Sequence, residues 1–263
     1  MDASDSNSAA FQRLVDLMAR LRGPDGCPWD RKQTPASLRP FLIEECFEVV
    51  DALEERVPDK VKEELGDLLF QIVFHARLAE EEGQYTIRDV IEAIVEKMVR
   101  RHPHVFGTER LSTDREVLAT WEEIKKKEKG YEDRRSLLEG VPRNLPGLLR
   151  AHRLQERAAR VGFDWSHLNE VLPKLDEEVA EFKESLKEEN AANVEEELGD
   201  LFFTLVNISR FLGVDPEEAL RKTISKFVHR FRFIEEEAAE AGKALSDMSL
   251  EEMDSLWERS KNK

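Results

Sequence analysis

Cysteine and long apolar runs are both scarce in this sequence, and each scarcity excludes a class of protein. Only Cys27 and Cys46 occur among 263 residues, too few for a disulfide framework, which indicates a reducing compartment such as the cytoplasm. We expect Cys46 to be buried as a small apolar side chain. The longest apolar run, around residues 201–206, is far too short to cross a bilayer. The sequence therefore predicts a cytoplasmic protein without a membrane partner.

Basic residues are outnumbered by acidic ones. The chain has 40 Lys plus Arg against 56 Asp plus Glu, which gives a formal net charge of −16. Nucleic-acid chains need a basic surface, so a nucleic-acid polymer is excluded as a partner. A small anionic substrate is compatible with this charge only if a metal ion and local cations offset the acidic field. A glycine-rich phosphate loop of the Walker or dinucleotide type is also missing.

The apolar residues recur at helical spacing, and no segment shows the alternation of a strand. Val90, Ile94, Val95 and Met98 follow this pattern, and later helices repeat it. Glycine, proline and aspartate separate the periodic segments, as at residues 213–216. The sequence therefore predicts an all-α fold.

A pattern of five carboxylates occurs twice, at a constant offset of 133 positions. The duplication extends into neighbouring apolar and basic positions, so we predict two tandem copies of one helical domain. The predicted domains are residues 9–128 and 148–263, joined by a polar linker at 129–147. The first set of carboxylates is Glu44, Glu45, Glu48, Glu64 and Asp67, and the second is Glu177, Glu178, Glu181, Glu197 and Asp200.

Four carboxylates of the second set predict a metal site. Glu178 and Glu181 are one turn apart on one helix, as are Glu197 and Asp200 on the next. If these helices pack antiparallel, the four side chains converge, and all-oxygen ligands suit Mg²⁺ or Mn²⁺. Redox di-iron bundles use Glu-x-x-His, which is missing here. The alternative is a solvated helix face. Gly199 argues against it, because a glycine inside a helix costs stability and needs a reason, such as close helix approach or metal binding.

Cations and an aromatic ring follow the second carboxylate set. Lys226 and Arg230 are one turn apart and could hold phosphate oxygens, or they could form intrahelical salt bridges. Trp257 and Lys261 are one turn apart and offer a flat apolar face and a cation, so a nucleobase could stack there, although a tryptophan is more often part of a core. The first copy offers a possible second site, made of Glu45, Glu48, Glu64, Asp67, Lys97, Arg101 and Trp121.

The Glu-Glu-x-x-Glu and Glu-x-x-Asp pattern resembles the MazG nucleoside triphosphate pyrophosphohydrolases of the all-α NTP pyrophosphatase group. The two-unit layout is similar to that family as well. Further resemblances are Gly26-Cys27-Pro28-Trp29-Asp30, Gln33-Thr34, Arg100-Arg101-His102-Pro103-His104-Val105-Phe106 and Val161-Gly162-Phe163-Asp164-Trp165.

This resemblance implies two MazG-type helical bundle domains in a homodimer, either helix-swapped or packed together. It implies that the metal ligands are Glu178, Glu181, Glu197 and Asp200. It also implies that the nucleotide contacts are Lys174, Lys226, Arg230 and Trp257. It also implies that the second unit is the active one. The position matching Lys174 in the first unit is Phe41, so that unit lacks one cation.

The activity that the resemblance implies is Mg²⁺-dependent hydrolysis of nucleoside triphosphates to a monophosphate and pyrophosphate, with broad base tolerance. We expect a metal-activated water to attack the α-phosphorus, with Glu177 as a candidate general base. The alternative is a non-catalytic nucleotide sensor or a regulatory partner-binding helical protein. Base preference stays open, as does the choice between clearing damaged nucleotides and tuning the stringent response.

Overall fold

The computed structural model describes residues 6–113, 116–117, 120–121, 123–124, 127–128, 136–187 and 190–261. Within these residues the regular elements are helices and no strand occurs, which confirms the all-α prediction. The chain divides into two compact units, Met1–Glu132 and Asp133–Lys263. The exact domain limits stay a prediction, and residues 129–135 of the predicted linker lie outside the described residues.

The first unit is organised around a helical hairpin. Helices α3 and α4 pack along each other, and α1 and α5 both pack on α4. Its core consists of Met18, Leu38, Val73, Phe74 and Leu78. The described helices are α1 (Asn7–Leu21), α2 (Pro28–Lys32), α3 (Pro35–Glu55), α4 (Pro58–Glu81), α5 (Ile87–Arg101) and α6 (Pro103–Phe106).

The second unit contains a matching hairpin of α8 and α9. Helix α7 packs on α9, and α10 packs on α11 and α7. Its buried apolar residues include Val171, Val206, Phe233 and Ile234. The described helices are α7 (Gly147–Ala159), α8 (Leu168–Ser185), α9 (Ala191–Phe211), α10 (Pro216–Glu240) and α11 (Leu250–Ser260), with a 3₁₀ turn at Leu245–Asp247 before the last.

Local chemistry explains where several helices begin. Thr34 forms a capping box with Ser37, and Ser249 does the same with Glu252. The Asp215 side chain accepts a hydrogen bond from the Glu218 N–H, and a proline follows it in the first helical turn. The breaker at residues 213–216 therefore ends one helix and starts the next, as the sequence predicts.

The buried face of α8 carries an acid in its middle. Val171, Glu178 and Ser185 are buried and recur every seven residues, so they form one stripe facing α9. In α3 the corresponding Glu45 is only half-buried. Cys46 is exposed, so the prediction that its thiol is buried is wrong. The reason is its position on α3, because Cys46 lies roughly a quarter turn from the buried stripe of Leu38, Val49 and Ala52.

Within the described residues no helix combines the length and apolar character needed to cross a membrane.

Candidate active site

Three carboxylates converge in the second unit. Glu178 of α8 and Glu197 and Asp200 of α9 each offer an oxygen that lies within 4.8 Å of the others. The α8–α9 hairpin brings them together, because it sets the acid in the buried stripe of α8 opposite the acidic turn of α9. Glu181, the fourth predicted ligand, is exposed and lies outside this group. We call Glu178, Glu197 and Asp200 the second carboxylate cluster.

Glu178 carries the most informative electrostatics of this cluster. The residue is only 5% exposed. One carboxylate oxygen, Oε1, lies 2.8 Å from the ammonium of Lys174. The other oxygen, Oε2, is buried and has no hydrogen-bond partner among the residues that the structure describes. A buried and unpartnered carboxylate oxygen is costly, about 1–3 kcal/mol or more. Because every donor of the cluster is a hard oxygen, the residues fit a hard divalent cation.

Neighbouring like charges act on Glu197. Partial burial raises the pKa of Glu197 above its ordinary value, and the neighbouring charges of Glu181, Asp200 and Glu178 raise it further. Glu181 therefore acts on the cluster electrostatically. A bound cation would oppose the effect that these like charges have on Glu197.

Lys174 bridges two neighbouring acids. Its ammonium nitrogen lies 2.8 Å from a carboxylate oxygen of Glu177 and 2.8 Å from one of Glu178. The hydrogen bond to Glu177 is the largest cause of a raised pKa of Lys174, and the hydrogen bond to Glu178 is the next. Glu177 itself is exposed. Lys174 therefore places a positive charge at the edge of the second carboxylate cluster.

The remaining predicted contacts of the second unit lie on α10 and α11. The guanidinium of Arg230 lies over the Trp257 ring, 5.4 Å from its centroid, and the Phe227 ring packs on the same indole with centroids 5.4 Å apart. Lys261 pairs with Glu258 one turn away, and Lys226 is exposed. Among the described residues, no hydrogen bond or ion pair joins these predicted contacts to the carboxylate cluster.

The first unit also gathers three carboxylates, although not all of them match those of the second unit. Glu45, Glu48 and Glu64 each offer an oxygen within 4.8 Å of the others, and Asp67 lies outside the group. The pKa of Glu45 is raised, mainly by partial burial and next by the charge of Asp67. The duplicated acids thus form two clusters of the same kind.

The cations differ between the units. Phe41, at the position matching Lys174, makes an edge-on contact with Trp29, with ring centroids 5.8 Å apart. Arg101, which matches Arg230, lies over the Trp121 ring and is paired with Glu128. Arg101 and then Arg100 lower the pKa of Glu128 to about 2. Glu128 is not among the site residues predicted from the sequence. Lys97 is half-buried in α5.

The close helix approach offered as one reason for a glycine inside each acidic helix is not found. A Cβ added to Gly66 or Gly199 would meet no atom of the described part of the chain within 4 Å. Both positions therefore face open space.

Two helical units, each with three clustered carboxylates on one hairpin, define an all-α protein built from a duplicated domain. A family model, the MazG nucleotide pyrophosphohydrolase domain, matches residues 33–106 and 167–233. The chain belongs to the MazG family.

Relatives from several bacteria match nearly the whole chain. A nucleoside triphosphate pyrophosphohydrolase/pyrophosphatase MazG from Thermotoga maritima is 48% identical over 251 residues, 95% of both chains. A nucleoside triphosphate pyrophosphohydrolase from Escherichia coli K12 is 44% identical over 254 residues, 95% of this chain and 97% of its own. The crystal structure of a mazG-related protein from Thermotoga maritima is 32% identical and covers 44% of this chain and 99% of its own, with a TM-score of 0.39.

Proposed function

We propose that this protein hydrolyses nucleoside triphosphates to a nucleoside monophosphate and pyrophosphate, using Mg²⁺, or Mn²⁺ in its place. The observation that carries the proposal is the buried and unpartnered Oε2 of Glu178 beside the carboxylates of Glu197 and Asp200. The relatives from Thermotoga maritima and Escherichia coli bear the name nucleoside triphosphate pyrophosphohydrolase, which supports the same activity.

Each residue has a defined task in this proposal. Glu178, Glu197 and Asp200 hold the metal, with Glu181 at their edge. When bound, the metal supplies charge neutralisation at the phosphate oxygens and a water of lowered pKa. Lys174 stabilises the negative charge of the triphosphate from the neighbouring turn.

Further groups complete the site. Lys226 and Arg230 bind phosphate oxygens, and Trp257 keeps the guanidinium of Arg230 over its ring. Lys261 adds a cation one turn beyond Trp257. Glu177 is exposed next to the cluster and is our candidate for the base that takes the proton of the attacking water.

We assign catalysis to the second unit. The first unit has the carboxylates but lacks a lysine at position 41, and its Arg101 is already paired with Glu128. Among the described residues, Arg230 makes no ion pair, so its guanidinium is available to a phosphate. The first unit can therefore bind a cation without completing the triphosphate site.

A homodimer is part of the proposal. Leu220, Ile224, Phe227 and Val228 lie on one face of α10 at helical spacing, and each side chain is roughly half exposed. Burying such a stripe against a second copy would remove apolar area from water. Light scattering should give twice the chain mass, and Ile224→Glu should shift the protein to the monomer.

Products and a matched pair of variants test the activity. With ATP and Mg²⁺ we expect AMP and pyrophosphate. Glu197→Gln should remove this activity, whereas Glu195→Gln, an exposed acid on the same helix, should keep it. ADP with orthophosphate would contradict the proposal. Tight nucleotide binding without turnover in wild type would instead indicate a sensor.

Broad base tolerance and a role in nucleotide-pool housekeeping belong to the same proposal. Rates for the eight common nucleoside triphosphates should lie within about tenfold of one another, because stacking on an aromatic ring, for which Trp257 is the candidate, tolerates every base.

A further inference from the structure

Two consecutive arginines of the first unit bind the carboxylate of Glu128. Arg101 donates to it with two nitrogens, from Nε to Oε1 at 3.0 Å and from Nη2 to Oε2. Arg100 adds a third hydrogen bond, from Nη2 to Oε1 at 2.6 Å. Guanidinium groups therefore bind both oxygens of this carboxylate. We call Arg100, Arg101 and Glu128 the Glu128 cluster.

A phosphate group could take the place of the carboxylate in this cluster. A guanidinium binds carboxylates and phosphates in the same way, with a fork of two parallel N–H donors. Three donors that converge on two oxygens of one anion therefore suit a phosphate as well as they suit Glu128. The function proposed above gives Arg100 no task.

The Glu128 cluster is a charged ion pair that solvent can still reach. The side chains of Arg101 and Glu128 are 14% and 17% exposed, and that of Arg100 is 52% exposed. The hydrogen bonds from Arg101 and then Arg100 lower the pKa of Glu128 to about 2, so the carboxylate is ionised at neutral pH. An anion from solvent can therefore approach the arginines from the side of Arg100, where it meets a carboxylate already in place.

The second unit repeats the arginine of this cluster without the same ion pair. Arg101 lies over the Trp121 ring and Arg230 lies over the Trp257 ring, each with 5.4 Å from the guanidinium carbon to the ring centroid. Among the described residues, Arg230 forms no ion pair, whereas Arg101 pairs with Glu128. Glu128 therefore stands where, in the proposed function, the second unit binds a phosphate.

We infer that Arg100 and Arg101 form a second binding site for phosphate groups, at which Glu128 is a built-in competitor. The choice of phosphate as the anion rests on the proposed function. A tethered carboxylate competes at an effective concentration on the order of millimolar, so a small anion with one charge does not displace it. A polyphosphate carries more charge and can contact both guanidinium groups at once. The first unit then responds to polyphosphates and not to simple anions.

Binding in the absence of a metal ion tests the arginines without help from the carboxylate clusters, because acids without a cation repel an anion. We would titrate inorganic tripolyphosphate into the protein by calorimetry, with a metal chelator present. Glu128→Gln should bind it at least about tenfold more tightly than wild type, since hydrogen bonds from charged donors become available to the phosphate. Cations of the second unit are the same in both proteins, so the difference reports on the first unit.

Glu123→Gln is the matched control, because Glu123 is an exposed acid five residues earlier and its loss changes the net charge by the same amount. Its affinity should stay within about twofold of wild type, as for an exposed charge in water. Adding Arg101→Met to Glu128→Gln should remove the gain. Glu128→Asp keeps the charge but shortens the side chain, so it should give an intermediate affinity and provides the same test if Glu128→Gln folds poorly.

An affinity of Glu128→Gln no tighter than that of Glu123→Gln would overturn the inference. A gain that persists after Arg101→Met is added would overturn it as well. Pyrophosphate in a parallel titration separates the two sources of the anion. A gain for tripolyphosphate alone supports a site for the triphosphate of a nucleotide, and a gain for both supports a site that also takes the released product. Failure of the proposed function has a different signature, since wild type would then form no AMP from ATP with Mg²⁺, whatever the affinity of Glu128→Gln.

Discussion

The ammonium of Lys174 lies 2.8 Å from Oε1 of Glu178, one helical turn away, and this carboxylate is almost completely buried. The pair fixes a positive charge beside an acid that would otherwise be unbalanced in the buried stripe of α8. In the first unit the matching position is Phe41, which contacts Trp29 instead. Two units with the same carboxylates therefore differ in the charge available to a substrate.

Lys174→Met should raise the KM for ATP about tenfold, because a charge-assisted hydrogen bond to the triphosphate is lost. The KM is measured from the steady-state rate of pyrophosphate release at several ATP concentrations. Lys187→Met is the matched control, because Lys187 is an exposed lysine just beyond the end of α8 and also pairs with a glutamate, Glu184. An unchanged KM in Lys174→Met would show that this ammonium serves only Glu177 and Glu178.

Glu64→Gln and Glu197→Gln compare the two carboxylate clusters at matching positions. We expect Glu197→Gln to lower kcat at least about 100-fold, as the loss of a group that stabilises transition-state charge does. Glu64→Gln should retain most of the activity. Equal losses in the two variants would show that both units catalyse.

Gly199→Ala should raise the free energy of unfolding by up to about 1 kcal/mol, because glycine is a poor helix former and an added Cβ meets no atom within 4 Å. Urea denaturation measures the change, and Gly66→Ala is the matched variant in the first unit. A lower stability would mean that a second copy packs closely at this face of α9.

The ion pair of Arg22 and Glu81 predicts a pH dependence. Hydrogen bonds from Arg22, the largest cause, and from Arg77 lower the pKa of Glu81 below its ordinary 4.5. A lowered carboxyl pKa stabilises the folded state above the unfolded-state pKa, and this contribution is lost as the pH falls through the folded-state pKa.

Glu81→Gln should therefore lower the free energy of unfolding by about 2 kcal/mol at pH 7. The difference in this free energy between the variant and wild type should become smaller below pH 4.5. Urea titrations at several pH values check this, with Glu92→Gln on the exposed surface of α5 as control. A difference that does not change with pH would contradict the assignment.

Much of the fold could be predicted from the sequence. The helical spacing and the constant offset of 133 residues predicted an all-α protein in two copies. They also predicted that acids from consecutive helices converge, because a hairpin of two helices places them opposite each other. Three of the four acids do so in each unit. Glu181 and Asp67 do not join the groups.

Contacts over longer sequence distances could not be predicted. Gln155 lies 48 positions before the carbonyl of Phe203 that it contacts, and nothing local marks it. The motif Val161–Trp165 belonged to the resemblance to the family, but its residue types did not indicate a chemical role. Likewise, Arg101 and Glu128 are distant in sequence, so their ion pair depends on the tertiary fold and could not be predicted from local patterns.

Hydrolysis of ATP in water enriched in ¹⁸O, followed by mass spectrometry of both products, tests the central claim most directly. If water attacks the α-phosphorus at the second carboxylate cluster, AMP should carry the heavy oxygen and pyrophosphate should not. Label in pyrophosphate, or an equal yield of labelled AMP from Glu197→Gln, would contradict it.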